Sequence, residues 1–294
     1  WAWPSPATCS GSIPSVSGPS RAASDAPRFT RHLAAAMHPL LAATWSGVWP
    51  PWSISSDDRM SAAQTPAAGI TTPSLTDFYA RLAAYYGPQC WWPNLDDDNP
   101  RFEILVGAVL TQHTAWANVE RAIGTLLGAG PLTAETLLAY EDLAELIRRA
   151  GPHRVKAERL KGLCRWFIDA GGFGGIEAMS TAKLCSDLRA IRGIGPETAD
   201  VIALYAADRP RFIADAYAFR IFERLGWWQG NTRRYETLRE QVEAAAPEHW
   251  RAADYDEIHA LVVRHAIALC HKRHPDCANC PLVERCAQIG VTDT

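Results

Sequence analysis

Four cysteines, Cys270, Cys277, Cys280 and Cys286, crowd into 17 residues with the spacing C-x6-C-x2-C-x5-C. A loop with that many thiols has little freedom unless they share a task. Thiolates ligate iron–sulfur clusters, and one short loop carrying four of them can wrap a single cubane. Zinc is the rival occupant, but all-cysteine zinc sites usually pair two Cys-x-x-Cys knuckles, and only one such pair is present. Four unrelated thiols is the bland alternative, weak at this density. The spacing favours a [4Fe–4S] cluster.

The other cysteines (Cys9, Cys90, Cys164, Cys185) are scattered without disulfide-framework spacing, which points to a reducing, cytoplasmic compartment. Net charge is −3 and the sequence pI about 6.3. Any surface for nucleic acid must therefore be local rather than general. No apolar run reaches the roughly 18–20 residues of a membrane span, and the N-terminus lacks a basic region followed by an apolar run. The expectation is no membrane contact.

Residues 1–73 read as a disordered or non-native extension. Up to about residue 70 they are rich in Ala, Ser, Pro and Trp, lack Lys and Glu, and show no persistent period. The chain begins with Trp1, and Met60 precedes the first patterned segment, so the working protein is expected to start near Met60. From Ser74 onward helical periods dominate. Segments are expected at Leu75 to Tyr86, Arg101 to Gln112, 116–128, 133–139, 141–150, 154–170, 180–190, 196–207, 215–226, 232–245 and 255–270, with Gly/Pro breaks between several. Alternating strand patterns are missing. The expected fold class is all-α.

Between two of these segments lies Leu188-Arg-Ala-Ile-Arg-Gly-Ile-Gly-Pro-Glu-Thr-Ala-Asp200. Gly193 and Gly195 flank Ile194, and Pro196 suits a first helical position. Bare glycine backbone can approach a phosphate closely, and the next helix offers unpaired N–H groups and a positive dipole end to the anion. An ordinary Gly-rich connection between helices is the competing reading. With the cysteine loop downstream, the segment (about 188–200) resembles a helix-hairpin-helix motif, which grips the DNA backbone without reading its sequence.

Eighteen residues after Glu197 comes Asp215, in Phe212-Ile-Ala-Asp-Ala-Tyr-Ala-Phe-Arg220. Alone, Asp215 would be a plain N-cap. The order of hairpin, aspartate at a helix start and four-cysteine loop resembles the helix-hairpin-helix-GPD superfamily of DNA glycosylases, in its endonuclease III-like branch. That resemblance implies that Asp215 is the catalytic carboxylate. Cleaving an N-glycosidic bond leaves positive charge on the sugar, which a carboxylate stabilises, and a carboxylate can also orient or deprotonate water. Endonuclease III carries a lysine two residues after the second hairpin glycine, whose amine forms a Schiff base and cuts the strand. The matching residue is Glu197, which cannot do so, and which suits a helix first turn in any case. A monofunctional enzyme is expected.

Trp91-Trp92-Pro93-Asn94, Phe102-Glu103 and Gly107-Ala-Val-Leu-Thr-Gln-His-Thr-Ala-Trp116 further resemble the 3-methyladenine DNA glycosylases of that branch. The resemblance implies a base pocket of Trp92, Pro93 and Trp116, although aromatics in helical proteins are usually core. Adenine methylated at N3 is cationic, so flat electron-rich faces suit it. Gln112, with His113 beside it, matches the residue that fills the gap left by a flipped base. Basic residues concentrate at 148–165 (Arg148, Arg149, Arg154, Lys156, Arg159, Lys161, Arg165) and at His271 to His274, where Lys272 and Arg273 are the candidate phosphate contacts. Solvated charge is the plain alternative for both.

The resemblance implies two helical lobes around a DNA-binding cleft. Residues 98–208 would form a six-helix barrel domain with the hairpin, and 74–97 with 209–294 the cluster lobe. The implied protein is a nucleoid-associated, prokaryotic-type intracellular monomer acting on double-stranded DNA with a damaged base. A glycosylase for uracil or thymine in mismatches, or for oxidised pyrimidines, stays open. So does a non-catalytic binding protein for DNA damage or redox sensing.

Overall fold

The computed structural model describes residues 72–291, except Cys90, Pro93 and 229–233. The N-terminal extension, the Met60 start and the pocket residue Pro93 therefore lie outside the described residues, apart from Thr72 and Pro73. Every regular element described is helical.

Helix α1 (Leu75–Tyr86) starts where Ser74 caps it, the Ser74 hydroxyl accepting the Asp77 N–H at 3.1 Å, and stops at Gly87. Then follow α2 (Pro100–Leu110), α3 (Trp116–Ala129), α4 (Ala134–Ala139), the short α5 (Leu143–Leu146), α6 (His153–Asp169), α7 (Gly172–Ala178) and α8 (Thr181–Ala190). Helix α9 (Pro196–Val201) runs on into a π-helical stretch, Ile202–Ala206. Helices α10 (Ala216–Leu225), α11 (Tyr235–Ala245) and α12 (Ala252–Ala268) complete the set. Two expectations are corrected. The single helix expected at 141–150 is α5 plus a 3-10 turn at Arg148–Ala150, and α7 forms despite three glycines.

Buried apolar side chains gather in two clusters. One runs from Phe102 to Ala207 and is built on α2, whose residues Phe102 to Leu110 are all buried. Each large aliphatic side chain buried this way stabilises the fold by roughly 1.5–3 kcal/mol. The other joins Leu75, Phe78 and Leu82 of α1 to residues from Leu204 to Leu282. Helix α9 and its π stretch belong to both: Ile202, Ala203 and Ala206 face the first cluster, Leu204 the second, and Val201 and Tyr205 pack on each. Beside them Asp200, 1% exposed, is paired with Arg211 at 2.9 Å and Arg239 at 3.3 Å. Its charge is thereby compensated, as a buried carboxylate requires.

Candidate active site and cysteine loop

Asp215 caps α10. Its Oδ1 accepts the Ala218 N–H at 2.7 Å, and the residue is 5% exposed. Its Oδ2 lies 3.8 Å from His259 Nε2 of α12. The other ring nitrogen of His259 is bonded to the Tyr205 hydroxyl at 2.6 Å. Asp256, one turn before His259, has its carboxyl pushed up to about 6 by burial, with the His259 charge opposing that shift. Tyr205 comes from the π stretch, a helical distortion found often at functional sites.

The aromatic wall is built around the absence of a side chain. The Trp92 ring meets Trp116 at 5.3 Å, edge to face, and Tyr205 at 5.0 Å. Gly107 makes room for it: a Cβ there would stand 2.9 Å from Trp92 Cζ2. The chain carrying Trp91 and Trp92 is tethered at both ends, by Glu257 accepting the Gln89 N–H at 3.1 Å and by Glu103 accepting those of Leu95 at 2.8 Å and Asp96 at 2.6 Å. Trp91 stacks edgewise on His259. Among the described residues, the buried Trp92 Nε1 has no hydrogen-bond partner. The structure thus brings Trp92, Trp116 and Asp215 together through Tyr205 and His259, two residues the sequence reading did not single out.

Glu197 lies in the first turn of α9. Burial pushes its carboxyl up to about 8, and the nearby Asp215 charge adds to the effect.

In the hairpin, Ile194 is buried and plugs the turn, while Gly193 takes φ +86 and Gly195 φ −88. The two glycines are there for different reasons. Gly193 needs the left-handed region, and a Cβ on it would collide with the Arg159 side chain. A Cβ on Gly195 would meet nothing within 4 Å. Gly193→Ala is therefore expected to cost about 1–2 kcal/mol, and Gly195→Ala less than about 0.5 kcal/mol, in thermal melts run side by side.

Gln112 faces the hairpin rather than open solvent. Its Nε2 donates to Gly193 O at 3.1 Å and Thr198 Oγ1 at 2.9 Å, and its Oε1 accepts from Arg159. His113 is exposed, at φ +54. Lys156 does not belong to the basic surface: it is 1% exposed, and its Nζ donates to Leu110 O and Ala150 O, the ends of α2 and the 3-10 turn. Burial lowers its pKa to about 8.

All four C-terminal cysteines line one cavity, with Ile221, Arg224, Leu225 and His265 among its walls and an empty volume of about 410 Å³, part of it open to solvent. Arg224 of α10 donates to Cys270 Sγ at 3.1 Å, to His271 O at 2.7 Å and to Lys272 O at 3.2 Å. Arg220 donates to Cys270 O at 2.9 Å. Lys272 and Arg273 are exposed on the loop so braced. Burial raises the Cys280 and Cys286 thiols to about 11, so occupation by a metal group must displace their protons. As the side chains stand, no group of three or more His, Cys, Asp or Glu among the described residues is set to hold a metal ion. No described helix is long and apolar enough to cross a membrane.

A tight Gly193–Gly195 hairpin and a buried carboxylate linked through His259 and Tyr205 to an aromatic wall thus stand in one helical fold. The chain belongs to the HhH-GPD superfamily of base excision DNA repair proteins, matched over residues 106–252, and is a DNA N-glycosylase. It is 40% identical over 215 residues to MJ1434 of Methanocaldococcus jannaschii, named as a DNA repair glycosylase, covering 71% of this chain and 93% of that protein. Endonuclease III of Thermotoga maritima is 28% identical over 196 residues, 66% of this chain and 86% of that one. Among solved structures, the 3-methyladenine DNA glycosylase MagIII of H. pylori, bound to 1,N6-ethenoadenine, superposes with a TM-score of 0.54 at 25% identity, covering 66% of this chain and 98% of that one. The fold is also that of endonuclease III trapped on DNA, at 22% identity and a TM-score of 0.58 over 71% of this chain and 92% of that one.

Proposed function

We propose that this glycosylase removes alkylated bases, 3-methyladenine foremost, by hydrolysis, and leaves the abasic strand uncut. The observation that carries the reading is the wall of Trp92, Trp116 and Tyr205 linked through His259 to Asp215. A cationic base held against such faces gains cation–π attraction. Its bond to the sugar is already weak, because it departs neutral. Asp215 stabilises the positive sugar and takes the proton of the attacking water. His259 and Tyr205 hold that carboxylate in place. The likeness to MagIII supports the choice of base. Glu197 stands where an amine nucleophile would be needed, so no Schiff base forms.

Gly193, Ile194 and Gly195 seat a phosphate of the damaged strand. Gly195, whose missing side chain nothing in the protein requires, is the point of closest approach. Lys272 and Arg273 contact the backbone from the cysteine loop. For the gap left by the flipped base, the exposed His113 and its neighbour Gln112 are the candidates, and Gln112 must first release its bonds to the hairpin.

Cys270, Cys277, Cys280 and Cys286 would hold a [4Fe–4S] cluster, which supplies a fixed structural anchor for the loop. Four thiols lining one cavity fit it, and their spacing lacks the second Cys-x-x-Cys knuckle usual in all-cysteine zinc sites. The enzyme works as a monomer on double-stranded DNA in the cytoplasm. Mass spectrometry of bases freed from methylated, deaminated and oxidised DNA tests the reading. Release of 3-methyladenine is expected, with no protein–DNA adduct under borohydride. A trapped adduct, or methylated DNA left intact, would sink it.

A further inference from the structure

Arg159 of α6 is laid along the hairpin. A Cβ on Gly193 would stand 2.3 Å from its Nε, 2.8 Å from its Cδ and 2.9 Å from its Cγ. Its guanidinium donates through Nη1 to Gln112 Oε1, just past the end of α2. The Gln112 amide in turn donates to Gly193 O at 3.1 Å and to Thr198 Oγ1 at 2.9 Å, one before Ile194 and one after it. A single arginine thus latches the gap-filling candidate to the hairpin.

Arg159 is half-buried, and among the described residues its one hydrogen bond goes to that neutral amide and no carboxylate pairs with it. Arg211 and Arg239 differ, since they share Asp200. A guanidinium carries five N–H donors in a planar fork, so one amide oxygen leaves most of it unused. Lys156, three residues earlier, is another cation and is already committed to Leu110 O and Ala150 O. A latch alone needs no charge. A neutral side chain would hold Gln112 without the cost of drawing a cation out of water.

We propose that Arg159 is a DNA-backbone residue. Its guanidinium takes a phosphate of the damaged strand seated on the hairpin, and in doing so releases Gln112 into the gap left by the flipped base. The inference rests on the roles of hairpin and Gln112 under the proposed function. A phosphate oxygen is charged, and charge-assisted hydrogen bonds are roughly twice as strong as neutral ones. The phosphate therefore displaces the Gln112 amide from the fork. Gln112 then keeps only its bonds to Gly193 O and Thr198 Oγ1, and its oxygen can accept from an orphaned base. Seating of the backbone and filling of the gap become one event. Without DNA the amide stays latched.

The full chain should be titrated, over a range of salt, onto a duplex with a tetrahydrofuran abasic site and 2-aminopurine opposite it. Arg159→Gln is expected to bind about 10–100-fold more weakly, with a slope of log K against log[salt] smaller by about 1. Arg159→Lys, which keeps the charge, should keep the slope. Arg159→Met, which keeps the stem packed on Gly193, replaces Arg159→Gln if that variant does not fold. At saturation, wild type should change the 2-aminopurine fluorescence and Gln112→Ala should not. Backbone phosphates are then replaced one at a time by neutral methylphosphonate. At one position wild type should lose affinity and, when saturated, the fluorescence change, while Arg159→Gln loses no further affinity. An unchanged salt slope in Arg159→Gln, or a fluorescence change that survives every methylphosphonate at saturation, overturns the proposal. Base release by wild type would leave the glycosylase reading standing in that case. A wild type that binds but gives no Gln112-dependent fluorescence change overturns the gap-filling role itself.

Discussion

Asp215→Asn is expected to cut base release by about 10³-fold while changing DNA affinity less than about threefold. Asparagine caps a helix as well as aspartate does, so its side-chain oxygen still accepts the Ala218 N–H that now holds Asp215 at 2.7 Å. What disappears is the negative charge next to His259, and with it the stabilisation of a positive sugar. The fold and the hairpin stay. Single-turnover release and fluorescence anisotropy on the same lesion duplex separate the two quantities. If affinity and rate fell together, Asp215 would be a structural cap and the catalytic carboxylate would have to be sought elsewhere.

Cys270→Ala is expected to abolish binding of the proposed cluster and to lower stability by about 3–5 kcal/mol, the range for leaving a buried charge without its partner. The charge in question is Arg224, 8% exposed, which donates to Cys270 Sγ and to two carbonyls of the loop. At about 2–4 °C per kcal/mol for a domain of this size, calorimetry should show a melting temperature lower by roughly 10 °C. Iron and sulfide analysis of the wild type identifies the occupant. Zinc in place of iron would overturn the cluster, and an unmoved melting temperature would reduce the cysteines to free thiols. Because α10 carries Asp215 at one end and Arg224 near the other, damage to the loop should also reach the rate.

Local chemistry made much of the molecule legible. Ser74, Gly87 and Pro196 mark helix ends that the structure places at or next to them, and the all-helical class follows from periods of 3.6 throughout. Asp215 was readable because a cap has a sequence position. Tyr205 and His259 were not: His259 reaches Asp215 from α12, 44 residues on, and Tyr205 joins it only through His259, so neither has a local signal as partner. Lys156 sits among basic residues on an exposed-looking stretch, and only packing shows that two helix ends claim it. The raised pKa of Glu197 was hidden for the same reason, since it arises from burial and from the Asp215 carboxylate at the start of another helix. Helix α7 violated glycine's low propensity, with Ile176 buried in the core cluster built on α2.

The π stretch sets the rotational phase between the hairpin and Tyr205. Each residue of an α-helix turns the chain by about 100°. At Ala207 the backbone instead reaches back five residues, its N–H donating to Ile202 O at 3.2 Å, so one extra residue is absorbed between the hairpin and the aromatic wall. The hairpin and Tyr205, beside Trp92, are thus cogs on one shaft. Sequence drift on either face of α9 can retune grip or pocket separately, whereas an insertion or deletion within Ile202–Ala206 would throw both out of gear at once.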